Sequence, residues 1–244
     1  MVNSIFEASL DLLFPQHCTL CGLRSGRGIP LCHACQEDLR PNASHCALCA
    51  LPLPLPALAL TVDRLCGNCQ RKVPPFQRTL APWLYTEHLS HLIKRWKFSR
   101  DTRLTKVLAR LWLAGVEELA APDLIVPVPL HWRRLCLRGF NQSDLLAREL
   151  RSQCPLLHQV PIATRRVRRR RATAAQSGMD ASARNRNLRG AFTVNLACDK
   201  LRVAIVDDVL TTGATAAALA TALNGAGARR VDVWCIARTP SPGY

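Results

Sequence analysis

The chain has 244 residues, 48% of them apolar, which suffices for a full α/β domain plus a smaller module and excludes wholesale disorder. Its 33 lysines and arginines against 17 acids leave a net charge of +16, so a polyanionic partner is expected, either a small phosphorylated molecule or nucleic acid. No stretch approaches the roughly twenty apolar residues of a membrane span; the richest, 51–62, is broken by Pro52, Pro54 and Pro56 and reads as a linker.

In chain order, the first residues lack the charged-then-apolar layout of a secretion signal, and Glu7 and Asp11 interrupt them, so a soluble, cytoplasmic protein is expected. Apolar residues at 5, 6, 10, 12 and 13 suit a short amphipathic helix over 4–14 that stops at Pro15. Eight of the 12 cysteines then form four Cys-x-x-Cys pairs: Cys18/Cys21, Cys32/Cys35, Cys46/Cys49 and Cys66/Cys69. Two residues between thiolates let a tight turn present both sulfurs to one tetrahedral ion, and two such turns complete a four-thiolate zinc site. A segment this poor in large apolar residues needs metal in place of a core. A disulfide framework would require an oxidising compartment. Sequential pairing onto two zinc ions is the simplest arrangement; interleaved pairing or a single occupied site stays open.

Val73, Pro74 and Pro75 mark a boundary, giving an N-terminal module over 1–72 and a second domain over 76–240. Helical spacing predicts helices over 86–98, 102–119, 141–150 and 214–223, and apolar β-branched runs predict strands over 124–128, 203–206 and 231–237. This alternation implies a parallel, doubly wound sheet with helices on both faces, whose ligands collect at the carboxyl ends of the strands.

The stretch 203–215 carries most of the functional information. An apolar strand leads into Asp207 and Asp208, then into Thr211, Thr212, Gly213, Ala214 and Thr215 at the start of a helix. A phosphate needs backbone N–H groups at a helix N-terminus with hydroxyl donors nearby, and a ribose diol needs acceptors such as paired carboxylates. A buried strand that merely ends in an acidic turn is the plain alternative. Upstream, Val128 and Pro129 stiffen a loop after a strand, and Arg138, Asn141 and Gln142 follow before the next helix, a pattern suited to a pyrophosphate.

Between 165 and 189 lie nine arginines against one acid, Asp180. They form either a solvated loop, a mobile segment closing over pyrophosphate, or a docking strip for single-stranded DNA. The strip holds no aromatic residue before Phe192, so DNA binding there would be electrostatic and weakly selective.

The run from 203 to 215 resembles the 5-phosphoribosyl pyrophosphate (PRPP) motif of type I phosphoribosyltransferases. The resemblance implies that Asp207 and Asp208 contact the ribose hydroxyls, either also serving as general base, and that Val209, Leu210 and Thr211 through Thr215 line the 5-phosphate. Together with the cysteine pairs, the stretch from Tyr85 to Lys97, Phe98 and Asp101, the Val-Pro-Val-Pro loop, the 138–142 run, and Arg171, Thr173, Gln176 and Arg184, it is similar to the ComF/GntX family. That family likeness implies a phosphoribosyltransferase-like fold, structural zinc, Mg²⁺ arriving with PRPP, and an association with DNA uptake or DNA utilisation. It also implies DNA-uptake proteins as partners, with a non-catalytic single-stranded-DNA-binding role as the alternative.

Overall fold

The computed structural model describes residues 16–26, 29–54, 64–170 and 190–241. The expected helix over 4–14 and the four residues Arg171, Thr173, Gln176 and Arg184 lie outside these. Two short helices, α1 (His33–Glu37) and α2 (Gly67–Arg71), belong to the cysteine-rich part. Then come β1 (Arg78–Leu80), β2 (Trp83–Leu84), α3 (Glu87–Phe98), α4 (Leu104–Gly115), β3 (Leu124–Pro127), α5 (Trp132–Arg138) and α6 (Gln142–Gln153). The chain continues with β4 (Val167–Arg169), β5 (Phe192–Val194), β6 (Arg202–Leu210), α7 (Ala214–Gly225) and β7 (Arg230–Arg238).

The five-stranded sheet runs β1-β7-β6-β3, with β2 also beside β7, and every pair is parallel. β1 and β2 are one edge strand interrupted around Pro82, a residue that an edge tolerates because it need not donate to a neighbour. Side chains alternate along β6. Ala204 and Val206 join a core with Leu89 and Trp96 of α3, Leu108 of α4 and Leu146 of α6. Val203 and Ile205 join a second core with Leu219 and Leu223 of α7. Burial on both faces explains why these strands read as unbroken apolar runs.

Four expectations change in detail. The helix expected over 102–119 ends at Gly115, because Glu117 and Glu118 would place negative charge at the negative end of the helix dipole. The strand expected over 203–206 extends to Leu210. The proline-stiffened loop contains α5, which ends at Gly139 in the left-handed conformation (φ 83°) that a glycine adopts without steric cost. Part of the arginine run forms β4, which pairs antiparallel with β5.

The cysteine-rich part docks against the sheet edge. Asn42 donates from Nδ2 to the carbonyls of Ala50 (2.9 Å) and Ala81 (3.1 Å), and the Leu84 amide donates to the Arg40 carbonyl at 2.9 Å. Cys18, Leu31 and Leu39 enter the same core as α3. Among the described residues, no helix is long and apolar enough to cross a membrane.

Candidate functional site

β3 stops pairing at Pro127 opposite Val206, while β6 stays paired to β7 as far as Leu210 opposite Arg238. Asp207 and Asp208 therefore sit just past the end of β3, held by a strand on one side and open on the other. Asp208 lies on the face covered by α3 and α6. Its Oδ1 is 2.8 Å from Lys97 Nζ at the end of α3, and its Oδ2 accepts from Gln142 Nε2 at 2.8 Å. Gln142 Oε1 in turn accepts from Arg138 at 2.6 Å. Asp207 Oδ1 accepts from the Asp208 amide at 2.9 Å and from Ser143 Oγ at 3.3 Å.

Two adjacent carboxylates with few compensating donors cannot both ionise cheaply. Burial, and then the neighbouring Asp208 charge, push the Asp207 carboxyl up to about 7. Lys97 and the Ser143 hydroxyl pull the other way without cancelling it. Asp207 is thus poised to exchange a proton near neutral pH.

Downstream of the acids, Thr211 and Thr212 are exposed and Gly213 opens α7 with φ 77°, a left-handed conformation. No side chain caps this helix, although the Ala214 amide approaches Thr212 Oγ1 at 3.4 Å. A Cβ at Gly213 would meet nothing within 4 Å, so the space above the turn is open. An uncapped helix start with its first N–H groups free of intrahelical partners is an anion cradle. Val209 is half-buried against one core, and Leu210 is buried in the other.

The residues expected to shape a pyrophosphate loop do converge here. Val128 and Pro129 are buried beneath the opening, and Asn141 ties the loop to α6 by donating from Nδ2 to the Val128 carbonyl at 3.1 Å while its Oδ1 caps the Ser143 amide at 3.1 Å. Burial lowers the Arg138 guanidinium below its ordinary range, the Asp208 charge partly opposing this.

Three participants lack an assigned role in the sequence reading. Lys97 sits beside the buried stripe Leu89, Leu92, Ile93 and Trp96 of α3, and only its pairing with Asp208 reveals its place. Ser143 had no signal beyond its neighbours. Arg238 follows the apolar run Val233–Ala237 at the end of β7 and is itself buried, a charge at the end of a core strand that marks a bonding node. Its guanidinium donates to the carbonyls of Cys49 (3.0 Å), Leu210 (2.9 Å), Thr239 (2.8 Å) and Thr211. One side chain thus joins a cysteine turn to the Thr211 turn.

The eight cysteines group sequentially, Cys18, Cys21, Cys32 and Cys35 in one cluster and Cys46, Cys49, Cys66 and Cys69 in the other, each with its sulfurs within 4.8 Å of one another. Cys21 and Cys32 sulfurs lie 3.7 Å apart and Cys49 and Cys66 sulfurs 3.6 Å apart. A tetrahedron with Zn–S near 2.3 Å has edges of about 3.8 Å, so both sets fit one zinc each. In the first set burial opposes ionisation of Cys18, yet amides around it outweigh burial and bring the thiol down to about 6.

The family described as a double zinc ribbon domain matches residues 9–70. DNA utilization protein YhgH of Salmonella typhimurium is 41% identical over 239 residues, covering 93% of this chain and 99% of that protein. Competence protein F of Haemophilus influenzae is 33% identical over 217 residues, covering 85% and 90%. Among solved structures, a purine phosphoribosyltransferase from Pyrococcus horikoshii aligns with TM-score 0.32 and 16% identity over 66% of this chain and 77% of that one. A glutamine PRPP amidotransferase from B. subtilis aligns with TM-score 0.33 and 20% identity over 55% of this chain, which spans about a quarter of that structure (25%).

Proposed function

The chain belongs to the ComF/GntX family, and from that premise we propose that it binds PRPP or a related ribose 5-phosphate and transfers the phosphoribosyl group. The observation that carries this reading is the meeting of Asp207 and Asp208 with the uncapped start of α7 at one opening beside β3. In this reading the ribose hydroxyls donate to the two carboxylates. The 5-phosphate accepts from the first amides of α7 and from the hydroxyls of Thr211, Thr212 and Thr215. Arg138 faces the departing pyrophosphate over the loop of Val128 and Pro129, and Asn141 and Gln142 hold that loop and Asp208 in register. Asp207, with a pKa near 7, takes the proton of the attacking acceptor.

The carboxylate pair and neighbouring phosphate cradle suit Mg²⁺, which would bind largely through substrate phosphates and neutralise the leaving charge. We extend the proposal to a cytoplasmic role in DNA utilisation or uptake beside uptake-machinery proteins; the names DNA utilization protein and competence protein F, borne by relatives, support its DNA-related part. The exposed Arg165, Arg166, Arg168 and Arg170 favour a second reading, in which the protein handles DNA without catalysis and the sugar-phosphate site senses a ligand.

Isothermal titration with PRPP and Mg²⁺ tests the primary reading. Saturable heat is expected from the wild-type chain and none from Asp207→Asn/Asp208→Asn. A wild-type chain that gives no heat overturns it.

A further inference from the structure

α5 stands apart from the rest of the fold, for none of its seven residues is buried. Trp132 is 61% exposed and Leu137 77%, and Phe98, across from the end of the helix, is 72% exposed. Isolated apolar residues on a surface need no explanation, but this group has a pattern. Each aromatic ring carries a guanidinium on its face: Arg133 lies 5.4 Å from the Trp132 centroid, and Arg138 lies 5.5 Å from the Phe98 centroid. The rings mark the two ends of α5, whose rise from Trp132 to Arg138 is about 9 Å.

Neither α5 nor the 165–170 run contains an acid, so both segments are wholly basic; the Asp208 and Asp207 charges act on Arg138 and Arg169 from the adjoining opening. Arg134 lies near enough to Arg169 of β4 to add to the burial that lowers the Arg169 guanidinium. β4 and α5 therefore bring their arginines close together.

We propose that α5 and Phe98 form a stacking platform for single-stranded nucleic acid, with bases on Trp132 and Phe98 and phosphates on Arg133, Arg134 and Arg138. Exposed aromatic faces interleaved with arginines match the chemistry of an unpaired strand: every base has a π-face, and every linkage a negative charge. A duplex hides its base faces in the stack and gains nothing from such rings. Arginine alone would hold either form; the aromatic pair is what selects the unpaired one. The platform lies beside the opening at Asp207 and Asp208 but uses different side chains, apart from Arg138. It rests on the DNA-handling reading above, to which it adds a site, and its failure leaves the phosphoribosyl reading untouched.

The test uses the full zinc-loaded chain and a 15-nucleotide oligothymidylate. Trp96, Trp112 and Trp234 are buried and Trp83 is half-buried with its Nε1 donating to the Leu111 carbonyl, so Trp132 is the most exposed indole; fluorescence should quench on binding, and Trp132→Ala should abolish the quench. Trp132→Ala and Arg133→Ala should each weaken binding by about tenfold or more. Affinity should fall about 20-fold between 50 and 200 mM salt if three arginines meet phosphates. Because both side chains are exposed, the variants should keep the wild-type melting temperature and the wild-type response to PRPP. The proposal is overturned if the oligonucleotide does not bind, if Trp132→Ala binds as tightly as wild type, or if a 15-base-pair duplex binds as tightly as the single strand.

Discussion

Four Cys-x-x-Cys pairs of equal spacing build the two cysteine sites, yet the sites serve different parts of the molecule. The first leans on α3. Cys18 and Cys35 lie in the core with Leu92 and Trp96, and Arg95 of α3 donates to the Thr19 carbonyl at 2.9 Å. Cys21 of this site is exposed. The second site has its own small cluster with Leu48, Leu51 and Leu65, and it reaches the acid-bearing end of the sheet through Arg238. One site thus braces the helix that carries Lys97, and the other braces the Thr211 turn. Equal motifs do not imply equal duties; what each touches decides its role.

The largest effect should come from a ligand of the second site. Cys46→Ser should reduce zinc from two ions to one per chain and raise amide exchange in the 209–213 turn, because structural zinc is worth roughly 10–16 kcal/mol. Cys21→Ser in the exposed corner of the first site should leave that turn protected. Equal exchange in both variants would break the distinction.

Next comes Arg238→Met, which leaves the carbonyls of Cys49, Leu210, Thr211 and Thr239 without this donor. A loss of about 3 kcal/mol in denaturant unfolding is expected, together with weaker PRPP binding. Zinc content should stay at two, separating the bonding node from the metal site itself. Lys97→Met should cost less, about 2 kcal/mol, because Gln142 still donates to Asp208. Calorimetry would show the matching loss on the α3 side of the comparison.

The last effect is a pH slope, read by its direction. The Asp207 carboxyl is raised from its ordinary 3.8 to about 7, so the folded chain binds more protons than the unfolded chain between those values. Its contribution is therefore fully present below pH 4 and is lost as pH rises to 7. Relative to Asp207→Asn at each pH, the wild type should lose stability from pH 5 to pH 8; a rising difference would contradict the assignment.

Much of this was legible from residue order. The Asp-Asp strand end, the Thr-Thr-Gly turn and the cysteine pairs are local patterns, readable without their tertiary neighbours. The strands at 124–128 and 231–237 were visible because both faces of the sheet are buried. Lys97 and Arg238 were not assigned a role, since their partners are brought near only by the tertiary fold. A tryptophan in sequence says nothing of its surroundings: Trp96 and Trp132 look alike on paper, while one is fully buried and the other stands in solvent. The 132–138 helix was hidden by the prolines before it, which read as loop.

The way Cys18, Leu31 and Leu39 share a core with Leu89, Leu92 and Ile93 bears on how this architecture can be inherited. A gene fragment starting at codon 73 would encode a sheet whose α3 flank is stripped of its apolar cover, and self-association would be its natural fate. Recombination could not easily swap the metal-binding head between lineages without swapping α3 along with it. Head and body should therefore travel through evolution as one heritable piece.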